Sequence, residues 1–565
     1  MKILKYKLIL LVLITVSFLW ACKKDFLERT PGVALSEEAV FADPILSAQF
    51  ADRAYTFLVD DYVRFDTHRG ASSQASDEAV SGTANGSIRY LNQGLFHDHS
   101  DRVAAINDIR DIWSRAYAGI RQANVMITKM PTVPWTAVQD PARIKGEMHF
   151  VRAFLYFELI KRFGGVPIID RAFEVNENLD LPRNTYQECL TFILADLASA
   201  ESLPQEYDNA NYGRATLGAA RALKSRVLLY AASKLNNEAD DKAKWAAAAQ
   251  AAKVVMDMNL YSLQSTYSDI LNVASSPEYI MMKIRGPRLN SENKIVDFSQ
   301  SPGSGAISGS MNPTQNHVDL YEMKNGKAIT DPTSEYNPQA PYANRDPRLG
   351  FNVLYNDQAW QGRKLEMWYT ETTNASGQKI TTYSRDWNAT NPIYTATRYY
   401  CRKYWPEPYI RNVTGTALLN YVYFRYAEIL LNYAEAQNEA VGPDASVYNA
   451  INEIRSRAEV AMPNLPTGLT QAQMRDRIRN ERAVELAFED HRWYDIMRWK
   501  AGPAIVAQPV YGMNILKNAN GSFTYNRVLL PNTFQKVFLD HMHRYPIPRS
   551  EINKSNNILL QNPGW

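Results

Sequence analysis

The sequence ATLGAARALKSRVLLYAAS, residues 215–233, places small alanines between leucines and an aromatic side chain at intervals of three and four residues. The same pattern returns in FRYAEILLNYAEAQNEA, residues 424–440. This spacing predicts amphipathic helices. Because many side chains are small, neighbouring helices can approach closely. The two stretches therefore predict paired helices of the tetratricopeptide kind and a mainly α-helical fold.

Further amphipathic patterns extend the helical prediction over most of the chain. Gly164, Gly165 and Pro167 end one predicted helix, and Gly442 with Pro443 separates another two. The spacing between helices is irregular, and the full repeat consensus is absent. The helices predicted in the first half are 101–130, 136–163, 185–203, 214–235 and 241–258, and a helical pattern returns from 421 to about 500.

Between about residues 260 and 420 the helical period is lost, and Gly, Pro, Asn, Ser, Thr, Trp and Tyr dominate. We call this segment the excursion. Residues 279–284 and 396–405 have the pattern of strands, whereas 302–310 is typical of a flexible loop. Because helical patterns flank the excursion, we interpret it as an insertion in one domain at 37–565. That domain comprises a helical scaffold at about 37–260 and 421–500, the excursion, and a C-terminal segment at 501–565.

The N-terminus has the pattern of a bacterial lipoprotein signal peptide. Three lysines at positions 2, 5 and 7 precede an apolar run from Leu8 to Leu19, and Trp20, Ala21 and Cys22 follow. This run is shorter than the roughly 20 residues that span a membrane. We therefore expect residues 1–21 to be removed, Cys22 to carry acyl chains, and residues 22–36 to form an extended tether. An ordinary secretory signal that contains a cysteine is the alternative.

The charge balance gives no indication of a nucleic-acid ligand. The whole chain has 62 basic and 59 acidic residues, for a net charge of +3. Removal of residues 1–21 takes away three lysines and no acidic residue, so the mature chain has a net charge of zero. It therefore lacks the basic excess that is typical of nucleic-acid-binding proteins.

Besides Cys22, the chain contains only Cys189 and Cys401, which are too few for a disulfide framework. The helical pattern around Cys189 predicts a buried thiol. Whether Cys189 pairs with Cys401 is left open by the sequence.

The sequence contains no phosphate-binding glycine loop, no nucleophile elbow, no HExxH and no CxxC. Glu481, Glu485 and Glu489 follow helical spacing near Arg482 and Arg492, which favours structural ion pairs over acid catalysis. Two histidine pairs without a third ligand favour solvated loop residues over metal ligands: His97 with His99, and His541 with His543. The sequence thus predicts no catalytic residue, metal or cofactor.

The excursion is rich in aromatic residues. Sugars have apolar C–H faces edged by hydroxyl groups, so a binding site for them needs flat rings and nearby amide or charged groups. The excursion offers both, which favours sugar binding, and the alternative is that its rings anchor a long loop to the helical core. The rings are four of the eleven tryptophans, Trp360, Trp368, Trp387 and Trp405, with Tyr355, Tyr369, Tyr383 and Tyr394.

Strings along nearly the whole mature chain resemble the SusD/RagB family of surface lipoproteins. Their order and number make the match specific. They are CKKDFLERTP (22–31), SDEAV (76–80), GEMHFVRAFLYFELIKRFGGVPII (146–169), YGRATLGAARALKSRVLLYAA (212–232), NPTQNHVDLYEMKNG (312–326), NRDPRL (344–349), FRYAEILLNYAEAQNEA (424–440), RNERAVELAFEDHRWYDIMRW (479–499), YPIPRSEI (545–552) and NPGW (562–565).

The resemblance implies a SusD-like fold in which tetratricopeptide-like helical pairs support a loop-rich ligand-binding face. It also implies a non-enzymatic role, in which the protein captures glycans and delivers them to a SusC-like TonB-dependent transporter of the outer membrane. Lys23, Lys24 and Asp25 resemble the signal that sends such lipoproteins to the cell surface. The family's motifs are scaffold, which implies a packing role for Trp493 and Trp499.

We therefore predict a lipid-anchored, surface-exposed protein that binds an oligosaccharide or another nutrient without cleaving it. The alternatives are a surface glycoside hydrolase, a helical-repeat scaffold for other proteins, and a peptide-binding lipoprotein. The residues expected to contact the ligand are Trp360, Trp368, Tyr369 and Trp387 of the excursion, with Tyr90 and Asn92 of the polar loop at 81–94.

Overall fold

The computed structural model of the protein describes residues 36–565 except for 60–61, 63–70, 83–87, 99–106, 175, 179, 209, 284–298, 406, 409–417 and 419. The predicted signal peptide, Cys22 and all but the last residue of the predicted tether lie outside the described residues. In the part of the chain that is described, each helix is too short or too polar to cross a membrane.

Helices account for most of the regular structure. They are α1 Glu37–Phe41, α2 Pro44–Asp52, α3 Ser72–Ala75, α4 Ile88–Asn92, α5 Asn107–Lys129, α6 Pro141–Phe163, α7 Tyr186–Ala200, α8 Leu217–Ala232, α9 Lys242–Met256, α10 Gln315–Asp319, α11 Arg348–Asn352, α12 Tyr426–Val441, α13 Ala445–Arg455, α14 Gln471–Glu485, α15 Arg492–Arg498, α16 Gly502–Ile505 and α17 Arg549–Lys554. The helices predicted in the first half of the chain correspond to α5–α9, and the mainly helical fold is confirmed.

The helix ends follow from local sequence. Thr185 and Glu188 form a capping box at the start of α7, and each satisfies a backbone N–H that the first turn leaves unpaired. Gly164, with a φ of 77°, follows the last residue of α6, and Gly442, with a φ of 100°, follows α12. Glycine adopts these angles without steric cost, so both predicted breaks are confirmed.

Consecutive helices of the scaffold pack as pairs. Helix α5 packs on α6, α6 on α7, and α8 on α9, while α12 contacts α9, α13 and α14. Gly119 of α5 faces Leu155 of α6 so closely that an added Cβ would lie 2.4 Å from Leu155 Cδ1. The close approach of α5 and α6 at this point therefore depends on a residue without a side chain.

Most of the strands are short, and they lie mainly in the excursion and the C-terminal segment. They are β1 Ala79–Ser81, β2 Tyr279–Lys283, β3 Met311–Pro313, β4 Val353–Leu354, β5 Ala359–Trp360, β6 Arg363–Lys364, β7 Tyr369–Thr373, β8 Lys379–Tyr383, β9 Tyr400–Cys401, β10 Tyr421–Arg425, β11 Tyr511–Lys517 and β12 Phe523–Leu529. Strands β2 and β10 pair antiparallel. The two ends of the excursion therefore lie side by side.

The C-terminal segment contributes a hairpin that the sequence pattern did not indicate. Strands β11 and β12 form this hairpin, and β11 runs parallel to β7 of the excursion, with Leu516 opposite Tyr369. A four-stranded sheet in the order β12-β11-β7-β8 results. The excursion and the C-terminal segment thus form one surface.

The structure agrees only in part with the predictions for the excursion. The predicted strand at 279–284 is confirmed as β2, but the strand predicted at 396–405 is wrong except for β9. The Thr397 hydroxyl accepts a hydrogen bond from the Tyr399 N–H, and Arg398 has a φ of 71°, so the chain turns instead of extending. The segment 302–310, predicted as a flexible loop, is irregular apart from one turn of 3-10 helix at Pro302–Ser304; Ile307 is exposed, whereas Ser308 and Ser310 are buried.

Ion pairs buried between the excursion and helix α14 hold the two parts together. Arg348 of the excursion is 1% exposed and donates to Glu481 Oε1 at 2.5 Å and to Glu485 Oε2 at 3.0 Å. Arg425 donates to Glu485 Oε1 at 2.8 Å and to Glu489 Oε2 at 2.7 Å. We call this set the buried charge network. Its cations are Arg348, Lys403, Arg425, Arg455 and Arg457, and its carboxylates are Glu278, Glu322, Asp346, Glu481, Glu485 and Glu489.

The structural ion pairs predicted for the glutamates of α14 are confirmed, but the predicted partners are wrong. Arg482 pairs with Asp495, and Arg492 pairs with Asp77. The glutamates instead bind cations that are distant in sequence, which helical spacing cannot reveal.

Several predicted core residues are confirmed. Trp493 is 1% exposed and Trp499 is 6% exposed. Cys189 and Cys401 are both buried and free, so they do not form a disulfide. Burial raises the pKa of the Cys401 thiol to about 12, so it remains protonated at neutral pH.

Candidate functional site

Three aromatic rings and two polar side chains meet on the sheet shared by the excursion and the C-terminal segment. Tyr369 and Tyr383 lie directly opposite each other on β7 and β8. The Trp387 ring lies 5.1 Å from Tyr383 and 6.1 Å from Tyr369, measured between ring centroids. The guanidinium of Arg398 stacks on the Trp387 ring, and Asn514 of β11 completes the group. We call these five residues the aromatic cluster.

The polar groups of the aromatic cluster are joined by hydrogen bonds. Arg398 Nη2 donates to Asn514 Oδ1 at 3.0 Å, and Asn514 Nδ2 donates to the Tyr369 hydroxyl oxygen at 3.1 Å. Because Tyr369 accepts the bond from Asn514, its own hydroxyl proton remains available to a ligand. Tyr369, Tyr383 and Trp387 are all half-buried, so each ring keeps an exposed part. The arrangement offers flat apolar surface beside a hydrogen-bond donor.

Local sequence explains how the rings come together. The Asn374 side chain accepts backbone N–H bonds from Ser376 and Gln378, and Gly377 has a φ of 77°, which makes the tight turn between β7 and β8. The turn sets the register that places Tyr369 opposite Tyr383. Side chains alternate across a strand, so the two tyrosines share one face of the sheet.

Trp368 directly precedes β7, and because successive side chains of an extended chain point to opposite faces, we expect it on the other face of the sheet from Tyr369. Its half-buried ring is covered by the Lys517 ammonium, which lies 4.3 Å from the ring centroid. Trp368 is therefore separate from the aromatic cluster.

The prediction that Trp360 contacts a ligand is wrong. Trp360 is 1% exposed, and Arg402 lies 4.8 Å from its ring centroid. Trp405 is 2% exposed. Both rings anchor the excursion to the core, which was the alternative considered for these tryptophans.

Tyr90 and Asn92 lie on the short helix α4. Tyr90 is 44% exposed. The Asn92 side chain donates to the Gln74 carbonyl at 3.0 Å, and its backbone carbonyl accepts from the Val537 N–H at 2.7 Å. Asn92 thus has a structural role in joining two segments, whereas the ring of Tyr90 is accessible.

Of the two histidine pairs, only His541 with His543 lies wholly within the described residues, and the prediction of solvated loop histidines is wrong for His543. His99 lies outside the part that the structure describes, and His97 is exposed. His543 is buried and its Nδ1 lies 2.7 Å from the Asp540 carbonyl oxygen, while the His541 ring packs on Trp565. Within the described ranges, no three His, Cys, Asp or Glu side chains are grouped so that they could hold a metal ion.

A cleft of about 410 Å³ lies between the helical scaffold and strand β2 of the excursion, and its lining includes no member of the aromatic cluster. Its lining includes Tyr55, Tyr212, Arg214 and Tyr423. Tyr212 is 42% exposed, but Arg214 is already paired with Asp52 at 2.6 Å, and the Tyr55 hydroxyl accepts from a backbone N–H. Tyr423 is only 5% exposed, so the cleft presents fewer accessible rings than the aromatic cluster, in which three half-buried rings lie together. We therefore regard the aromatic cluster as the stronger candidate for ligand binding.

The sequence matches known protein families over most of its length. The model described as the SusD family matches residues 277–565, which is more than half of the chain. The chain belongs to the SusD family. A second model, described as "Starch-binding associating with outer membrane", matches residues 25–229 of this SusD-family protein.

Relatives of this SusD-family protein are similar over most of their own length. SusD-like protein P2 of Formosa agariphila is 26% identical over 506 residues, which cover 88% of this chain and 86% of that protein. A SusD-like protein of Bacteroides ovatus is 23% identical over 502 residues, which cover 87% of this chain and 82% of that protein.

Solved structures confirm the SusD-like fold. A SusD-like protein from Bacteroides fragilis superposes with a TM-score of 0.75 at 26% identity, over 95% of this chain and 100% of that chain. A SusD-like carbohydrate binding protein from the same organism gives a TM-score of 0.73 at 22% identity, over 92% of this chain and 99% of that chain.

Tyr369 and Trp387, which the sequence predicts as ligand contacts, lie in the aromatic cluster, and that role stays a prediction. Arg398 and Asn514 are not among the residues that the sequence predicts. Arg398 lies in the segment predicted as a strand. Asn514 lies in the C-terminal segment, where the sequence predicts no ligand contact. Their contact depends on the parallel pairing of β7 with β11.

Proposed function

We propose that this SusD-family protein is a glycan receptor of the outer membrane, which binds an oligosaccharide without cleaving it and delivers it to a SusC-like TonB-dependent transporter. The observation that carries the proposal is the aromatic cluster, in which half-exposed rings lie beside Tyr369, Arg398 and Asn514. Rings stack on the apolar faces of sugars, while hydroxyl and amide groups bond their hydroxyls.

The family supports the proposal independently of the cluster. The matching description "Starch-binding associating with outer membrane" and the solved SusD-like carbohydrate binding protein both point to sugars as ligands. A receptor also needs no catalytic group, in agreement with the absence of common catalytic motifs from the sequence. Uptake would then be driven by the transporter rather than by this chain.

The glycan proposal predicts binding without cleavage. The mature chain, residues 23–565, would be titrated calorimetrically against polysaccharides of plant, host and microbial origin, with reducing ends measured in the same samples. We expect saturable binding to at least one polysaccharide and no release of reducing ends. Release of reducing ends would contradict the receptor role, and an absence of binding across the panel would contradict glycan recognition.

The proposed location predicts that Cys22 is the membrane anchor. Acyl chains contribute about 0.8 kcal/mol of membrane affinity for each buried CH₂ group, whereas the described part of the chain has no helix suited to cross a membrane. We expect the wild-type protein in the membrane fraction and the Cys22→Ala variant in the soluble fraction. Cys189→Ala is the matched control and should remain with the membrane, because Cys189 is a buried thiol. Membrane retention of Cys22→Ala would contradict the anchor.

A further inference from the structure

Arg398 carries a buried charge that lacks a counter-charge. Its side chain is 4% exposed, and among the residues that the structure describes it forms no ion pair with a carboxylate. Nη2 bonds to Asn514, whereas Nη1 is buried and has no hydrogen-bond partner. Burying a guanidinium without a compensating anion is unfavourable. A bound anion would supply the missing negative charge.

The backbone holds Arg398 in an uncommon conformation. Its φ of 71° lies in the left-handed region, which side chains other than glycine seldom adopt. The neighbouring Thr397 fixes this conformation, because its carbonyl accepts a bond from the Met513 N–H of β11 at 3.0 Å. Strained conformations that are held by the surrounding structure cluster at functional sites. The fold therefore maintains Arg398 at this position at a conformational cost.

The ionisable groups that act most strongly on Arg398 are tyrosines and not carboxylates. They include Tyr400 and Tyr342, and burial raises the pKa of both hydroxyls above its ordinary value, so both are uncharged at neutral pH. Burial lowers the pKa of Arg398 to about 9, so the guanidinium remains charged at pH 7. Arg398 is therefore positively charged at neutral pH, and the described side chains around it do not neutralise this charge.

We propose that the aromatic cluster binds an anionic glycan, whose carboxylate or sulfate group lies at the edge of the Trp387 ring, where Arg398 attracts it. The inference rests on the proposed function, since it specifies the class of glycan for the same site. The Arg398 guanidinium is buried against the Trp387 ring, but Coulomb attraction acts across several ångströms and is strong in a partly desolvated site. Stacking on Trp387 and attraction to Arg398 then act on the same sugar.

The test compares each acidic polysaccharide of the panel with its neutral counterpart, prepared by carboxyl reduction or by desulfation. We expect the acidic form to bind the wild-type chain at least tenfold more tightly, with affinity falling as sodium chloride rises from 50 to 500 mM. In Arg398→Gln this preference should disappear, while Arg398→Lys should retain part of it. Arg385→Gln, at an exposed arginine of the same loop, is the control and should change each affinity less than twofold.

The outcomes separate this inference from the proposed function. If only neutral polysaccharides bind, or if acidic and neutral forms bind equally, the inference is wrong and the glycan receptor stands. If Arg398→Gln weakens both forms equally, Arg398 only supports the Trp387 ring, and the inference is again wrong. If nothing in the panel binds, both proposals are wrong. The salt dependence of the wild-type chain tests the inference even if the Arg398 variants fail to fold.

Discussion

Replacement of Glu485 by glutamine is expected to lower the free energy of unfolding at pH 7 by about 3–5 kcal/mol. Glu485 is fully buried and accepts bonds from Arg348 at 3.0 Å, Arg425 at 2.8 Å and Arg457 at 3.0 Å. Glutamine preserves the shape of the side chain but removes the negative charge. The three guanidinium groups would then remain in the interior without the carboxylate that they share.

The same contacts give the effect a defined pH dependence. Burial by itself raises the pKa of the Glu485 carboxyl, but the charges of Arg457, Arg425 and Arg348 outweigh burial and hold the pKa well below its ordinary value. A carboxyl whose pKa is depressed by folding contributes stability above its unfolded pKa of about 4.3 and loses it as the pH falls toward the folded value. Glutamine does not titrate. The difference in the free energy of unfolding between wild type and Glu485→Gln should therefore become smaller below about pH 4.

Denaturant unfolding followed by tryptophan fluorescence at pH 7 and at pH 3.5 would measure both effects. Glu371→Gln is the control, because Glu371 is exposed and pairs with Lys379 on the surface at 3.4 Å. Exposed pairs contribute about 0–1 kcal/mol, so this variant should resemble wild type. A Glu485→Gln variant that unfolds within about 1 kcal/mol of wild type would show that the network is not needed for stability.

Replacement of Trp387 by alanine is expected to weaken glycan binding at least thirtyfold, which corresponds to about 2 kcal/mol or more. Trp387 contacts Tyr383, Tyr369 and Arg398, and its ring is half-buried and partly accessible. Alanine removes the stacking surface and also the support for both neighbouring rings. Calorimetric titration with the polysaccharide that binds wild type most tightly would measure the loss.

Tyr212→Ala is the matched control for this prediction. Tyr212 is 42% exposed and lines the cleft beside β2, whose lining includes no member of the aromatic cluster. We expect its removal to change the affinity less than twofold. If Tyr212→Ala weakens binding more than Trp387→Ala does, the ligand occupies the cleft and the aromatic cluster is not the binding site. Circular dichroism of both variants would establish that each remains folded.

Local sequence patterns predict the scaffold well because each helix is determined by nearby residues. The apolar spacing of α8 and α12 and the glycines after α6 and α12 act within a few turns of the chain. The error at 396–405 has a different origin. Residues such as Tyr399 and Tyr400 favour strands, but threonine hydrogen bonds and the left-handed backbone of Arg398 override that preference.

The candidate site is harder to predict because its members come from distant parts of the chain. Composition indicated that the excursion contains ligand-binding rings, yet it could not separate buried Trp360 from half-exposed Trp387. Which ring is accessible depends on the packing of the excursion against the core. Asn514 reaches the cluster only through the pairing of β11 with β7. Neither the burial of a ring by distant residues nor the pairing of β11 with β7 can be recognised from a short stretch of sequence.

The pairing of β2 with β10 has a consequence for how new specificities arise in this fold. Because these strands bring the two ends of the excursion together, a different excursion can be inserted without altering the spacing of the helices beneath it. The hairpin β11–β12 must be exchanged at the same time, since it supplies Asn514 and a sheet partner for β7. A chimaera that receives only the excursion of a relative is expected to keep its scaffold but to lose the matching strand beside β7 and the contact that Asn514 makes here, whereas transfer of both segments is expected to reproduce the sheet of the donor.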